Sequence, residues 1–151
     1  MIRERYLRTL RALAESYHAF ERYSAAQVRA LGLTPAQFDI IATLGNTDGM
    51  SFRELGEKTL ITKGTLTGVV DRLEARGMVK RVASKLDGRS TLVRLTKKGD
   101  AEFDRVFARH VAYLKKPFHA LSEAEMNQLE VLANKLTVSL QDAGTSGNKP
   151  A

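Results

Sequence analysis

Cysteine is absent from the 151 residues. That excludes disulfides, a thiol-based oxidation sensor and any zinc finger, and it fits a reducing compartment. No run approaches the ~20 consecutive apolar residues that cross a bilayer, so no membrane partner is expected. Histidine is scarce: His18, His110 and His119 lie far apart, and none pairs at i, i+4 with another ligand type in a metal pattern. His110, with Asp104 and Arg109 nearby, reads as a surface or hydrogen-bonded histidine, and neither a metal nor a cofactor is expected. Enzyme signatures are missing too. There is no G-x-S-x-G nucleophile motif, and Gly64-Thr65-Leu66-Thr67-Gly68 lacks the lysine and strand context of a phosphate loop. No enzymatic activity is expected. The opening MIRERYLRTLRALAES, charged every few residues, has neither a secretory nor a transit pattern. The expected location is the cytoplasm.

What the chain does carry is an uneven charge. Of its net +7, all sits between Met50 and Gly99, where twelve Lys or Arg face five Asp or Glu; the remaining residues balance at twelve of each. Hydrophobic residues make up 43% of the chain, enough for a core and unlike a disordered composition. The length suits one compact domain with helical extensions.

The basic third has a readable order. Ser51 and Glu54 form a capping box, opening a short helix with Phe52, Leu55 and Leu60 as its apolar contacts. Thr62 is the next N-cap candidate, its hydroxyl placed to accept from the first turn. Leu66, Val69, Val70 and Leu73 recur at i, i+3, i+4 and i+7, the stripe of a core-facing helix, and Gly77 ends it. At ~100° per residue the opposite face holds Gly64, Gly68, Asp71 and Ala75, flanked by Thr65 and Arg72 on one side and Lys63 and Thr67 on the other. Two interior glycines on one exposed face, each costing ~1 kcal/mol against alanine, point to close approach of the helix backbone to a partner rather than drift on a solvated surface. Beyond Gly77, Met78–Val82 and Thr91–Leu95 read as strands. Their loop, Ser84-Lys85-Leu86-Asp87-Gly88-Arg89, contains an Asp-Gly turn signal. Helix, turn, helix and hairpin inside a basic patch are the footprint of a double-stranded DNA-binding module.

In that reading the second helix enters the major groove. Thr62, Lys63, Thr65, Thr67 and Arg72 work from it, and Arg53 meets phosphate. Lys85 and Arg89 serve a minor groove, whose negative potential attracts arginine. Asp87, too acidic to meet phosphate itself, is expected to orient Arg89 through a charge-assisted hydrogen bond.

The flanking segments are helical by pattern. Residues 2–31 keep Tyr6, Leu10, Leu13, Tyr17 and Phe20 at three- and four-residue spacing up to Gly32. Thr34, Pro35 and Gln37 then start a helix whose core face is Phe38, Ile41 and Leu44. Thr96 caps another helix, carrying Phe103, Val106, Phe107, Val111 and Leu114, which Pro117 breaks at about Lys116. Ser122 and Glu125 make a third capping box, Leu121 and Met126 a staple, and Leu129, Ala133, Leu136 and Leu140 a narrow apolar seam.

Three stretches together resemble the MarR family of winged helix-turn-helix transcriptional regulators. They are Leu33-Thr34-Pro35-Ala36-Gln37-Phe38, the run from Thr65-Leu66-Thr67 through Val70-Asp71-Arg72-Leu73-Glu74 to Gly77, and Asp87-x-Arg89-Ser90 followed by Leu95-Thr96 and Gly99. Gly68 and Gly88 stand where that family often has arginine or another large polar residue. The resemblance implies a mainly α fold with a small β-hairpin wing. A single domain over 1–141 would comprise a winged helix-turn-helix region at 35–99 and a helical dimerisation region at 1–34 and 100–141, with a flexible tail at 142–151. It implies a homodimeric repressor of an inverted-repeat operator, with a small aromatic or phenolic effector bound between the dimer helices and the winged module. Tyr17, His18 and Tyr23 are the candidate effector residues, because their polar tips need partners if buried, whereas Phe20 and Phe38 read as core. Two other readings compete: a winged-helix protein–protein module, motivated by Gly68 and Gly88, and sequence-indifferent DNA packaging, which the hydroxyls of Thr65 and Thr67 disfavour.

Overall fold

The computed structural model describes residues 4–147 and is mainly helical with one small sheet. Helix α1 spans Arg5–Ala30, α2 Pro35–Leu44, α3 Phe52–Lys58, α4 Lys63–Ala75, α5 Lys97–Phe118 and α6 Glu123–Ser146. Strands β1 (Met50–Ser51), β2 (Val79–Ala83) and β3 (Thr91–Leu95) form an antiparallel sheet in the order β1-β3-β2. Two compact units divide the chain: one reaches Tyr113 and holds α1 to α4 with the sheet and most of α5, and the other begins at Leu114 and holds α6.

Local chemistry explains most boundaries. Both limbs of the capping box are made at Thr34/Gln37, at Ser51/Glu54 and at Ser122/Glu125, so each helix start satisfies orphan N–H groups. Thr96 caps α5 as expected, its Oγ1 accepting from the Gly99 N–H at 3.1 Å. Gly77, at φ +73°, lets the chain leave α4 and turn directly into β2. The α4 stripe of Leu66, Val69, Val70 and Leu73 is buried, packed with Ile40, Ile41 and Leu44 of α2, Leu55 of α3, Val79 and Val93 of the sheet, and Val28 of α1.

Several expectations are corrected. The sheet has three strands, because Met50 and Ser51 pair with Val93 and Leu92; a two-residue strand shows no periodicity. Gly49 leads into it at φ +113°, and a Cβ there would lie 2.9 Å from the Val93 carbonyl oxygen. Leu60 contributes no core contact and is exposed. Pro117 does not break α5, which runs through it to Phe118. A proline near a helix end removes one donor, here the one due to the carbonyl of Tyr113 four residues earlier. The Tyr23 hydroxyl donates to that carbonyl instead, at 3.3 Å. The stretch expected as a tail from 142 is helical through Ser146, where α6 ends; residues 148–151 of that expectation lie outside the described residues.

The apolar seams of α1 and α6 remain in solvent. Tyr6, Leu10, Leu13, Tyr17 and Phe20 on α1, and Leu129, Leu136 and Leu140 on α6, are all exposed, and α6 has no buried residue.

Candidate nucleic-acid interface

Because α4 buries its stripe against the core, its other face is presented outward. Lys63, Thr65, Thr67 and Arg72 are all exposed there, with Thr62 at the N-cap. The Thr62 hydroxyl departs from the capping expectation. It makes no bond to a backbone N–H and instead donates to Thr65 Oγ1 at 3.0 Å, which leaves the first N–H groups of α4 open to an anion. Gly64 and Gly68 sit between these residues. Among the described residues a Cβ at Gly64 would meet nothing within 4 Å, and one at Gly68 only the tip of Arg72 at 3.9 Å, so none of them demands glycine at either position. Arg53 projects from α3 and is held by Glu57 at 3.2 Å, one turn away.

The wing extends β2 and β3 through the loop 84–90. Lys85 and Arg89 are exposed at its end, and no ion pair is made by Lys63, Arg72, Lys85 or Arg89 among the described residues. Asp87 does not hold the Arg89 guanidinium. Its Oδ1 accepts from the Arg89 backbone N–H (3.0 Å) and its Oδ2 from the Ser90 hydroxyl (3.0 Å), the pattern of an aspartate folding its own turn. Asp87 therefore shapes the backbone that displays Arg89, and the guanidinium is left for another anion.

One residue of this surface escapes sequence reasoning. Arg81, inward-facing on β2, bridges Asp71 (2.5 Å) and Glu74 (2.7 Å) on α4, and its guanidinium lies 5.5 Å from the centre of the Phe52 ring. The fork matches two carboxylates one helical turn apart and ties the wing to α4. The spacing of Asp71 and Glu74 hints that they share a face, but only the packed hairpin reveals which cation they meet. At the other end of α4, Lys98 Nζ donates to the Arg76 carbonyl at 2.7 Å, a cation at the negative end of the helix dipole.

The three candidate effector residues do not converge. Tyr17 and His18 are exposed on α1, His18 beside Glu21 at 3.3 Å. Tyr23 belongs to a separate, half-buried cluster. Its ring stacks on Tyr113 at 4.2 Å, and each hydroxyl donates to the other residue's backbone carbonyl. Next to this pair His110 is buried, with Nδ1 2.7 Å from Gln27 Oε1, Nε2 3.1 Å from Ser24 Oγ, and the ring edge-on to Phe38. A Gln carbonyl oxygen only accepts, so Nδ1 carries the proton and Nε2 accepts from the Ser24 hydroxyl. Burial pushes the His110 pKa below its ordinary value, in keeping with a neutral ring. The reading of His110 as a hydrogen-bonded histidine holds, with Ser24 and Gln27 as its partners rather than Asp104.

Residues 31–90 match the model of the MarR family. The chain is 30% identical over 105 residues, covering 70% of it and 68% of the relative, to the transcriptional repressor MdtR of Bacillus subtilis. Among solved structures it superposes on AbsC, a MarR family transcriptional regulator of Streptomyces coelicolor, with a TM-score of 0.82, 21% identity and coverage of 94% and 98% of the two chains. A further match is BpsR of Bordetella bronchiseptica, whose DNA binding is regulated by 6-hydroxynicotinic acid. There the TM-score is 0.77 and the identity 23%, with 91% and 98% covered.

Proposed function

Because this chain belongs to the MarR family of transcriptional regulators, we propose that it is a homodimeric repressor of a pseudo-palindromic operator in the cytoplasm, released by a small aromatic or phenolic ligand. Its role is DNA binding and not catalysis. The observation that carries the finer reading is the outward face of α4 and the wing. Lys63, Arg72, Lys85 and Arg89 are exposed and unpaired among the described residues, with the hydroxyls of Thr65 and Thr67 between them. Lys63, Thr65, Thr67 and the Thr62 turn read base edges in the major groove, while Arg53, Arg72, Lys85 and Arg89 neutralise phosphate or enter the minor groove. Asp87 serves by folding the turn.

Two copies are called for because the α1 and α6 seams are exposed in a single chain. Covering them with a second copy sets two α4 helices about one DNA turn apart, ~34 Å, and a two-fold axis selects an inverted repeat. Repression is the role named for MdtR. The effector reading draws on the 6-hydroxynicotinic acid response of BpsR. Tyr17 and His18, exposed on α1, supply aromatic and hydrogen-bonding surface for such a ligand, whereas Tyr23 is engaged by Tyr113.

Selection of bound duplexes from a random DNA pool at ~150 mM salt, where weak electrostatic contacts are screened, tests this reading. Recovery of an inverted repeat with half-sites about one turn apart is expected. Binding without a consensus would replace the operator reading with packaging, and no binding by folded protein would leave a partner-binding module.

A further inference from the structure

Among the described residues between Met50 and Thr96, Leu60 and Leu86 are the large apolar side chains left in solvent, and Leu86 is exposed completely. Leu60 lies in the turn ahead of α4, with its N–H on Asp39. Leu86 lies at the far end of the wing, between Lys85 and Arg89. Its position is not that of a loose loop residue. Ser84 Oγ accepts from the Leu86 N–H (3.3 Å) and the Asp87 N–H (3.4 Å), the Ser84 N–H donates to the Ser90 carbonyl (2.8 Å), and the Ser90 N–H donates to the Asp87 carbonyl (2.9 Å). With the Asp87 carboxylate on Arg89 and Ser90, these bonds close the tip around its own polar groups and hold Leu86 outward.

We propose that Leu86 is an apolar DNA contact, inserted by the wing into the minor groove alongside the cations of Lys85 and Arg89. The inference rests on the regulator reading above and adds a second kind of contact to it. The walls of the minor groove are sugar carbons, and leucine is among the apolar side chains that minor-groove proteins press between base steps. A branched side chain held between two cations brings apolar surface to the place where those cations are attracted. The tip stands beyond the sheet, so no contact among the described residues buries Leu86, and complex formation is the step that removes it from water.

Salt dependence separates this contact from its neighbours. A cation on phosphate releases counterions, so its loss flattens the plot of log affinity against log salt, whereas an apolar contact releases none. The test uses full-length protein and a duplex recovered by the selection described above, or a mixed-sequence duplex if no consensus emerges, titrated from ~50 to ~200 mM salt. Leu86→Ala is expected to bind about tenfold more weakly at every salt concentration, on a line parallel to that of the wild type. Leu86→Met keeps the apolar bulk and is expected to restore most of the affinity. Arg89→Ala is expected to be shallower by about one unit. An L86A line that coincides with the wild type, or one whose slope has changed, overturns the assignment, as does an L86M variant as weak as L86A. Wild-type protein that binds no duplex removes the regulator reading and Leu86 with it, whereas normal wild-type binding with a silent L86A removes only Leu86.

Discussion

Helices α4 and α6 are both amphipathic, yet their apolar stripes end in opposite states. Leu66, Val69, Val70 and Leu73 of α4 are buried by α2, α3 and the sheet, whereas Leu129, Leu136 and Leu140 of α6 remain exposed. The first helix is complete within one chain, and what it leaves outward is polar and basic. The second leaves outward the side that water disfavours. Exposed cations without partners call for a polyanion, and an exposed apolar seam calls for protein surface. The two helices therefore divide the proposed work, one meeting DNA and the other meeting a second copy.

The largest effect is expected from emptying the α4 stripe. Leu73→Ala removes a fully buried side chain and should cost about 2–5 kcal/mol, read as a lower denaturation midpoint with an unchanged slope. If L73A melts like the wild type, the contrast with α6 fails at its first term. A smaller effect is expected at Leu136→Glu, which places charge in the α6 seam. Each Leu buried in the proposed dimer contributes about 1.5–3 kcal/mol, so sedimentation should shift from dimer to monomer and operator affinity should fall. A charged variant that stays dimeric would remove α6 from the interface.

Gly64→Ala and Gly68→Ala probe the outward face of α4. Neither Cβ meets an obstacle among the described residues, so Gly68→Ala, in the helix interior, should raise stability by about 1 kcal/mol and Gly64→Ala, in the first turn, by less. If the backbone of α4 approaches DNA closely, the same variants should bind the operator more weakly. Higher stability with unchanged binding would make the two glycines incidental.

The smallest effect is a pH dependence centred on His110. Its neighbours are Ser24 and Gln27 on α1, Phe38 on α2 and Tyr113 on α5, none of them charged near neutral pH. Its folded pKa lies below the ordinary 6.5, so as pH falls the unfolded chain takes up the proton first. Stability from the neutral ring is fully present above about pH 6.5 and declines below it, until the folded state also protonates. Melting between about pH 7.5 and 5.5 should therefore show a declining midpoint that flattens in His110→Gln; identical pH profiles for the two proteins would show that His110 titrates unshifted.

Much of this architecture was legible because its signals are local. Three capping boxes, the C-terminal glycines at 32 and 77 and the i, i+3, i+4, i+7 stripe of α4 each depend on residues within two turns of one another. The candidates Lys63, Thr65, Thr67 and Arg72 could be assigned to an exposed surface for the same reason, since a known stripe defines its opposite face, and Lys85 and Arg89 followed from the turn signal between the two strands. The strand at Met50–Ser51 was not legible, because two residues carry no period and their pairing with Val93 and Leu92 is set from forty residues away. Pro117 misled because the donor that compensates for it, the Tyr23 hydroxyl, comes from another helix.

Short-range spacing and composition set where most helices start, which of their faces are apolar, and where the positive charge gathers. Which groups meet across distance is set by the packing of separate elements. It gave Arg81 to Asp71 and Glu74, His110 to Ser24 and Gln27, and Asp87 to its own turn, and it left the seam of α6 and the side chain of Leu86 in solvent. The physical reason is that a side chain's partner depends on how separate elements pack, and no local pattern records that packing.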